Sequence, residues 1–178
     1  MKSRLRYGSG VFGWFQKRTV REPSAADALV EEVRDVLPGA DAETIEIVVA
    51  VAGLLAAIAY ADRRYSLEED RRVREELGRL HGMTAAGVDA ICTVLAEHAR
   101  ELSTVGVPAF CRSLVELGDR ELRVEVLGML VELAAADGVI DTPESNLLRL
   151  ATRALGLSQD DYNAAQAAHR AKLGVLSR

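Results

Sequence analysis

Four acidic residues have the side-chain types and the spacing that could do chemistry in this chain. Asp62 and Asp137 each end an apolar, helix-like run, and each is followed seven residues later by a glutamate, Glu69 or Glu144. Carboxylate oxygens are the ligands that Ca²⁺ and Mg²⁺ prefer in proteins. The spacing therefore makes Asp62, Glu69, Asp137 and Glu144 the candidate ligands of a divalent metal ion, calcium or magnesium.

The two acidic pairs belong to a pattern that occurs twice, 75 residues apart. Residues 59–69 read AYADRRYSLEE and residues 134–144 read AAADGVIDTPE. Each copy predicts a helix, an acidic elbow and a second helix. The sequence therefore predicts two similar helix–elbow–helix halves, and a pseudo-two-fold axis between them would let the four acids face one another around a cation.

Helix capping is the competing interpretation of the same residues. Ser66 with Glu69, and Asp141 with Glu144, have the spacing of a capping box, in which each residue of the pair accepts a hydrogen bond from the other's backbone N–H. Capping accounts for both glutamates without a metal. It leaves Asp62 and Asp137 unexplained, since each is predicted at a helix C-terminus, where the helix dipole disfavours an anion. The capping and the metal interpretation both stay open.

Several other metal and catalytic classes are excluded or disfavoured. An EF-hand is excluded because its third, sixth and twelfth positions, counted from Asp137, would be Val139, Thr142 and Leu148. The histidines (His81, His98 and His169) are scattered, the cysteines lack Cys-x-x-Cys spacing, and no glycine-rich phosphate loop follows a strand. These features favour a protein that is not an enzyme. One alternative is a small hydrolase or lyase with paired carboxylates as acid and base, which would need a deep cleft lined by acids. The other is a membrane-tethered adaptor that acts through the basic N-terminal tail.

The second copy of the pattern resembles a family signature. Its Ala-Ala-Asp-Gly-Val-Ile-Asp-Thr-Pro-Glu segment is similar to the Ala-Asp-Gly-hydrophobic-small-x-x-Glu motif of the tellurite-resistance TerB family and of the related N-terminal region of DjlA-type membrane co-chaperones. The resemblance covers roughly residues 25–173. The first copy departs from the motif, because Arg63 stands where the second copy has Gly138.

The resemblance carries expectations about fold and function. It implies an all-helical fold made of two similar halves. It also implies a cytoplasmic stress-response module, often linked to the inner face of the membrane and to other resistance proteins as partners. It implies metal binding by the acidic residues as well, and it implies no established catalytic activity.

The elements that position the acids are predicted to be helices only. Apolar residues recur at spacings of three and four, and short connections favour antiparallel neighbours in a compact all-α bundle. A charge-free run over residues 47–61 is shorter than the roughly 20 residues that span a bilayer, so it predicts a buried central helix. Core positions are expected at Leu54, Leu55, Ile58, Leu127, Leu130 and Leu133. The predicted helices cover residues 24–37, 41–62, 66–80, 84–102, 108–118, 119–137, 141–155 and 158–174.

The charge distribution divides the chain into a tail and a domain. Residues 1–21 hold six basic residues and no acidic one, whereas all 27 acidic residues of the chain follow them. Residues 1–23 are predicted to be a basic mobile tail, which solubilises the protein, docks on a partner, or contacts an anionic membrane through Trp14 and Phe15. Residues 24–178 are predicted to form one acidic TerB-like domain that disfavours nucleic acid. Cys92 and Cys111, in apolar helical contexts, indicate a reducing cytoplasm.

Overall fold

The computed structural model describes residues 24–136 and 140–176, and for Val105 and residues 171–176 it describes the backbone only. Helices are the only regular secondary structure of the described residues, which contain no β-strand, and this confirms the all-α prediction. The predicted tail (residues 1–23) and the residues Asp137, Gly138 and Val139 lie outside the described part. The helices are α1 (Ala25–Val36), α2 (Ala42–Ala59), α3 (Leu67–Leu77), α4 (Ala85–Glu101), a π-helical turn (Leu102–Gly106), α5 (Val107–Leu117), α6 (Arg120–Ala134), α7 (Thr142–Ala154) and α8 (Gln159–Leu176).

Short polar side chains fix where the helices begin. In each case a side-chain oxygen accepts a hydrogen bond from the backbone N–H three residues further on, which satisfies one of the free donors of the first helical turn. Such bonds are local, so the caps expected from the sequence are confirmed. The capping residues are Ser24, Asp41, Ser66, Thr84, Asp119, Asp141 and Ser158.

Helix α2 is the centre of the bundle. Thirteen of its 18 residues are buried, more than in any other helix whose buried residues are described. By length and composition α2 could cross a membrane, but 72% of its apolar window is buried inside the fold. It packs against α1, α3, α4, α5, α6 and α7. The predicted core residues on α2 and α6 are all buried.

Three helices end three residues earlier than their apolar patterns predict, and one of them is α3, which was expected to reach Leu80 but ends at Leu77. Helix α2 was expected to reach Asp62 and α6 to reach Asp137, but they end at Ala59 and Ala134. After α2 the backbone tightens, with the Ala61 N–H donating to the Ile58 carbonyl oxygen at 3.0 Å. The ends of α2 and α6 lie 75 residues apart, as do the first residues of α3 and α7. We call residues 60–66 the first elbow and residues 135–141 the second elbow; the superposition of the two halves stays a prediction.

The break predicted between residues 102 and 108 is wrong, because the backbone remains helical through the π-helical turn into α5. Pro108 has no N–H to donate to the carbonyl of Thr104, and its ring would crowd that carbonyl in a regular α-helix. A π-helical turn inserts an extra residue and relieves this conflict. The hydroxyls of Ser103 and Thr104 both donate to the carbonyl oxygen of Arg100, at 3.0 and 2.7 Å.

Candidate functional site

The first elbow holds Asp62 in a local turn. Asp62 is exposed, and its Oδ1 accepts a hydrogen bond from the backbone N–H of Arg64 at 2.7 Å. Aspartate commonly stabilises a turn in this way, by bonding the backbone two residues further on. This hydrogen bond partly stabilises the Asp62 carboxylate, which lies beyond the C-terminus of α2, where the helix dipole disfavours an anion. The other oxygen, Oδ2, makes no hydrogen bond with a described residue.

Both predicted capping boxes are present. The Ser66 N–H donates to Oε2 of Glu69 at 2.6 Å, and the Glu69 N–H donates to Oγ of Ser66 at 3.2 Å. In the second copy the Asp141 N–H donates to Oε2 of Glu144 at 2.8 Å, and the Glu144 N–H donates to Oδ1 of Asp141 at 2.9 Å. Both glutamates therefore have a structural function whether or not they also bind a cation.

Three of the four predicted metal ligands, Asp62, Glu69 and Glu144, lie among the described residues. Among the residues that the structure describes, no group of three or more His, Cys, Asp or Glu side chains is placed to hold a metal ion. The predicted set, however, includes Asp137, which lies outside those residues. The convergence of Asp62, Glu69, Asp137 and Glu144 on one ion therefore stays a prediction.

Arg63 has a backbone conformation that its side chain disfavours. Its φ is 70°, the left-handed region, and no other described residue except glycine has a positive φ. This conformation costs an L-residue with a β-carbon about 1–2 kcal/mol. The second copy has Gly138 at the matching position, a residue that adopts a positive φ without this cost. The departure of the first copy from the family motif thus introduces backbone strain next to Asp62.

A cleft of about 730 Å³ lies against the first elbow. It is bordered by the end of α2, by the junction of α4 with the π-helical turn, and by the beginning of α7. We call it the elbow cleft. It brings the first elbow close to the helix that follows the second elbow. Its lining residues include Ala57, Tyr60, Ala61, Arg63, Arg100, Ser103, Thr104, Pro143, Asn146, Leu147 and Leu150.

Sequence reasoning missed the elbow cleft. Its walls come from three segments, residues 57–63, 100–104 and 143–150, that are far apart in the chain. No local pattern in any one segment marks its residues as neighbours of the others. Leu150 lies outside the buried face of α7, which is formed by Leu148, Ala151 and Thr152, and it is 45% exposed. A closer reading of the helix periodicity could have marked Leu150 as an exposed apolar residue.

The two cysteines do not form a reactive site. Cys92 and Cys111 are fully buried free thiols. Burial raises the pKa of Cys92 to about 12 and the pKa of Cys111 to about 11. Because the thiolate is the nucleophile and the metal-binding form, both side chains serve as small apolar residues of the core.

Comparison with known protein families assigns the chain to one of them. Residues 48–167 match the family described as tellurite resistance protein TerB. The chain belongs to the TerB family. The match extends from α2 into α8 and includes both elbows, so at the family level the chain is a tellurite-resistance-type module. No curated protein and no solved structure matches the chain.

Proposed function

We propose that this TerB-family chain is a non-catalytic stress-response module whose acidic elbows bind a divalent cation, calcium or magnesium. The bound cation would alter the surface around the elbows, and this surface would bind other stress-response proteins. The module would act in the cytoplasm, near the inner face of the membrane. The proposal does not require a chemical step, and it assigns the four acids as ligands rather than as catalysts.

One observation carries the metal proposal. Asp62 uses only Oδ1 for its turn, and Glu69 uses only Oε2 for its capping box. Neither Oδ2 of Asp62 nor Oε1 of Glu69 makes a hydrogen bond with a described residue, so each remains available to a cation. A single elbow with two carboxylates would bind calcium or magnesium no better than about 10⁻⁴–10⁻³ M. The acids of the second elbow would tighten this binding if they converge on the same ion.

The capping boxes make a sharp test possible. Gln at a box position keeps the hydrogen bond to the backbone N–H but removes the charge, and Asn keeps the turn made by Asp62. We expect Ca²⁺ or Mg²⁺ to raise the melting temperature of the full chain, because a ligand that binds only the folded state stabilises it. The rise should shrink in Asp62→Asn, Glu69→Gln, Asp137→Asn and Glu144→Gln.

The control removes a charge elsewhere. Asp35 is an exposed acid in the last turn of α1 with no ion pair to a described residue, so Asp35→Asn should keep the full metal response. A metal response that is equal in Asp35→Asn and in the four elbow variants would reject the elbow site. The complete lack of a response in the wild-type chain would leave capping as the function of these residues.

The association with the membrane is assigned to the basic tail. Residues 1–23 lie outside the described residues, and the proposal rests on their charge and on Trp14 and Phe15. Vesicles that contain anionic lipid should bind the full chain better than a chain lacking residues 1–23, and added salt should reduce the difference. Equal binding of the two chains would remove the membrane from the proposal.

A further inference from the structure

The elbow cleft has the size and the lining of a small-molecule site. Its volume of about 730 Å³ is within the range of about 300–1,000 Å³ that is usual for ligand pockets. Ala57, Leu147 and Leu150 give it an apolar wall, and Leu150 is 45% exposed. An apolar surface that is open to solvent within a concave site favours a ligand with an apolar body.

The charged residues of the cleft are cationic. Arg63 and Arg100 both line it, and neither forms an ion pair with another described residue. The arginines of α3 differ, because Arg71 and Arg74 are paired with neighbouring carboxylates. Of the described residues that line the cleft, none is acidic. A guanidinium group without a partner favours a carboxylate or a phosphate, to which it can donate two parallel hydrogen bonds.

Two backbone irregularities lie in the walls of the same cleft. One is the positive φ of Arg63. The other is the π-helical turn, from which Ser103 and Thr104 line the cleft. Strained residues and π-helical turns are both frequent at functional sites. Each costs free energy, so it persists only where the surrounding structure holds it in place. The strain belongs to Arg63, which the charge argument already uses, whereas the π-helical turn is a separate observation that indicates the same cleft.

We propose that the elbow cleft binds a small amphipathic anion, a carboxylate or a phosphate monoester with an apolar body. The guanidinium groups of Arg63 and Arg100 bind the anionic group, and Ala57, Leu147 and Leu150 contact the apolar body. The positive charge of the cleft disfavours the basic residues 1–23 as its occupant. The proposal is independent of the metal proposal, since Asp62 and Glu69 do not line the cleft.

A charge-matched set of ligands tests the site. We would titrate the full chain calorimetrically with decanoate, decanol and decyltrimethylammonium, with a chelator present to exclude divalent metals. The two ionic ligands stay below their micelle concentrations, and decanol stays below its solubility limit. Decanoate should bind about tenfold more tightly than decanol, a difference of about 1.4 kcal/mol that one charge-assisted hydrogen bond supplies. Decyltrimethylammonium should bind more weakly than decanol. Equal affinity for the three ligands would overturn the proposal.

Variants locate the binding in the cleft. Arg63→Gly and Arg100→Gln should each weaken decanoate binding about five- to tenfold, while their affinity for decanol stays unchanged. Arg63→Gly also relieves the positive φ, so weaker binding by this variant would not reflect a loss of fold. The matched control is Arg64→Gln, an exposed arginine next to Arg63 that does not line the cleft, and it should bind like the wild type. An equal loss in Arg64→Gln would overturn the assignment.

A vesicle experiment separates a free anion from a lipid in a membrane. Free decanoate should bind the full chain when no vesicle is present. If Arg63→Gly and Arg100→Gln weaken the binding of the full chain to vesicles carrying an anionic lipid, but free decanoate does not bind the full chain, the cleft recognises a membrane surface and the small-anion proposal is wrong.

Discussion

The aromatic ring of Phe110 lies directly on the backbone of Gly53. A β-carbon built at residue 53 would be 2.3 Å from Cε2 of Phe110, which is closer than two non-bonded carbon atoms approach in proteins. The same ring also covers Gly106 in the π-helical turn, where a β-carbon would be 2.4 Å from Cε2. The ring therefore joins α2, the π-helical turn and α5 in the core, and it needs glycine on both sides.

Gly53→Ala should destabilise the protein by about 1–3 kcal/mol, because the added methyl overlaps the buried ring of Phe110 and forces it to shift. Gly128 is a matched control, since it lies 75 residues later in α6 and a β-carbon there would meet nothing within 4 Å. Gly128→Ala should stabilise the protein by about 0.5–1 kcal/mol, the usual gain for alanine in a helix. Urea denaturation measures both changes, and effects of the same sign would contradict the packing described for Phe110.

Arg63→Gly should raise the free energy of unfolding by about 0.5–1 kcal/mol. The variant removes the cost of a positive φ, and the extra freedom of glycine in the unfolded chain offsets part of this gain. Arg64→Gly provides the comparison, since Arg64 has no positive φ and glycine there should not stabilise. Thermal unfolding followed by circular dichroism distinguishes the two variants. A destabilised Arg63→Gly would show that the side chain of Arg63 makes a stabilising contact larger than the strain.

Two carboxylates at helix N-termini make stability depend on pH at the acidic end: that of Asp41, which caps α2, and that of Asp161, which accepts hydrogen bonds from the cap residue Ser158 of α8. Hydrogen bonds from the backbone of Thr44 lower the pKa of Asp41, and those from Ser158 lower the pKa of Asp161. A carboxylate whose pKa is lower in the folded state contributes its full stabilisation above the unfolded value of about 3.9. That contribution is lost as the pH falls through the folded pKa.

The measurement is the free energy of unfolding between pH 7 and pH 3, compared for the wild type and for Asp161→Asn. The asparagine keeps a neutral acceptor for the Ser158 N–H and cannot titrate. We expect the variant to lose less stability than the wild type below about pH 4. Identical pH profiles would show that Asp161 does not contribute to the acid sensitivity.

Cys92 and Cys111 should be unreactive in the native protein at pH 8. Burial raises both pKa values well above this pH, so the thiolate is scarce as well as inaccessible. A thiol reagent such as Ellman's reagent should modify neither cysteine until denaturant is added, and should then modify both. Rapid modification of one native cysteine, located by the variants Cys92→Ala and Cys111→Ala, would contradict its burial.

The sequence by itself determined the local features of this protein. Ser66 and Asp141 are caps because each side chain bonds a backbone N–H only three residues away, and such bonds depend on little else. The burial of α2 follows from a charge-free apolar run, because exposing that much apolar surface to water would be unfavourable. The motif around the second elbow was sufficient to indicate the TerB family.

The tertiary structure decided everything that depends on residues distant in the chain. The elbow cleft exists because α2, α4 and α7 place Arg63, Arg100 and Leu150 around one volume, and no periodicity within one helix encodes that meeting. Only the packed structure shows that the ring of Phe110 lies against the backbone of Gly53. The helical connection from α4 to α5 escaped prediction for the same reason. A proline normally ends a helix, and here a π-helical turn packed against α2 accommodates it.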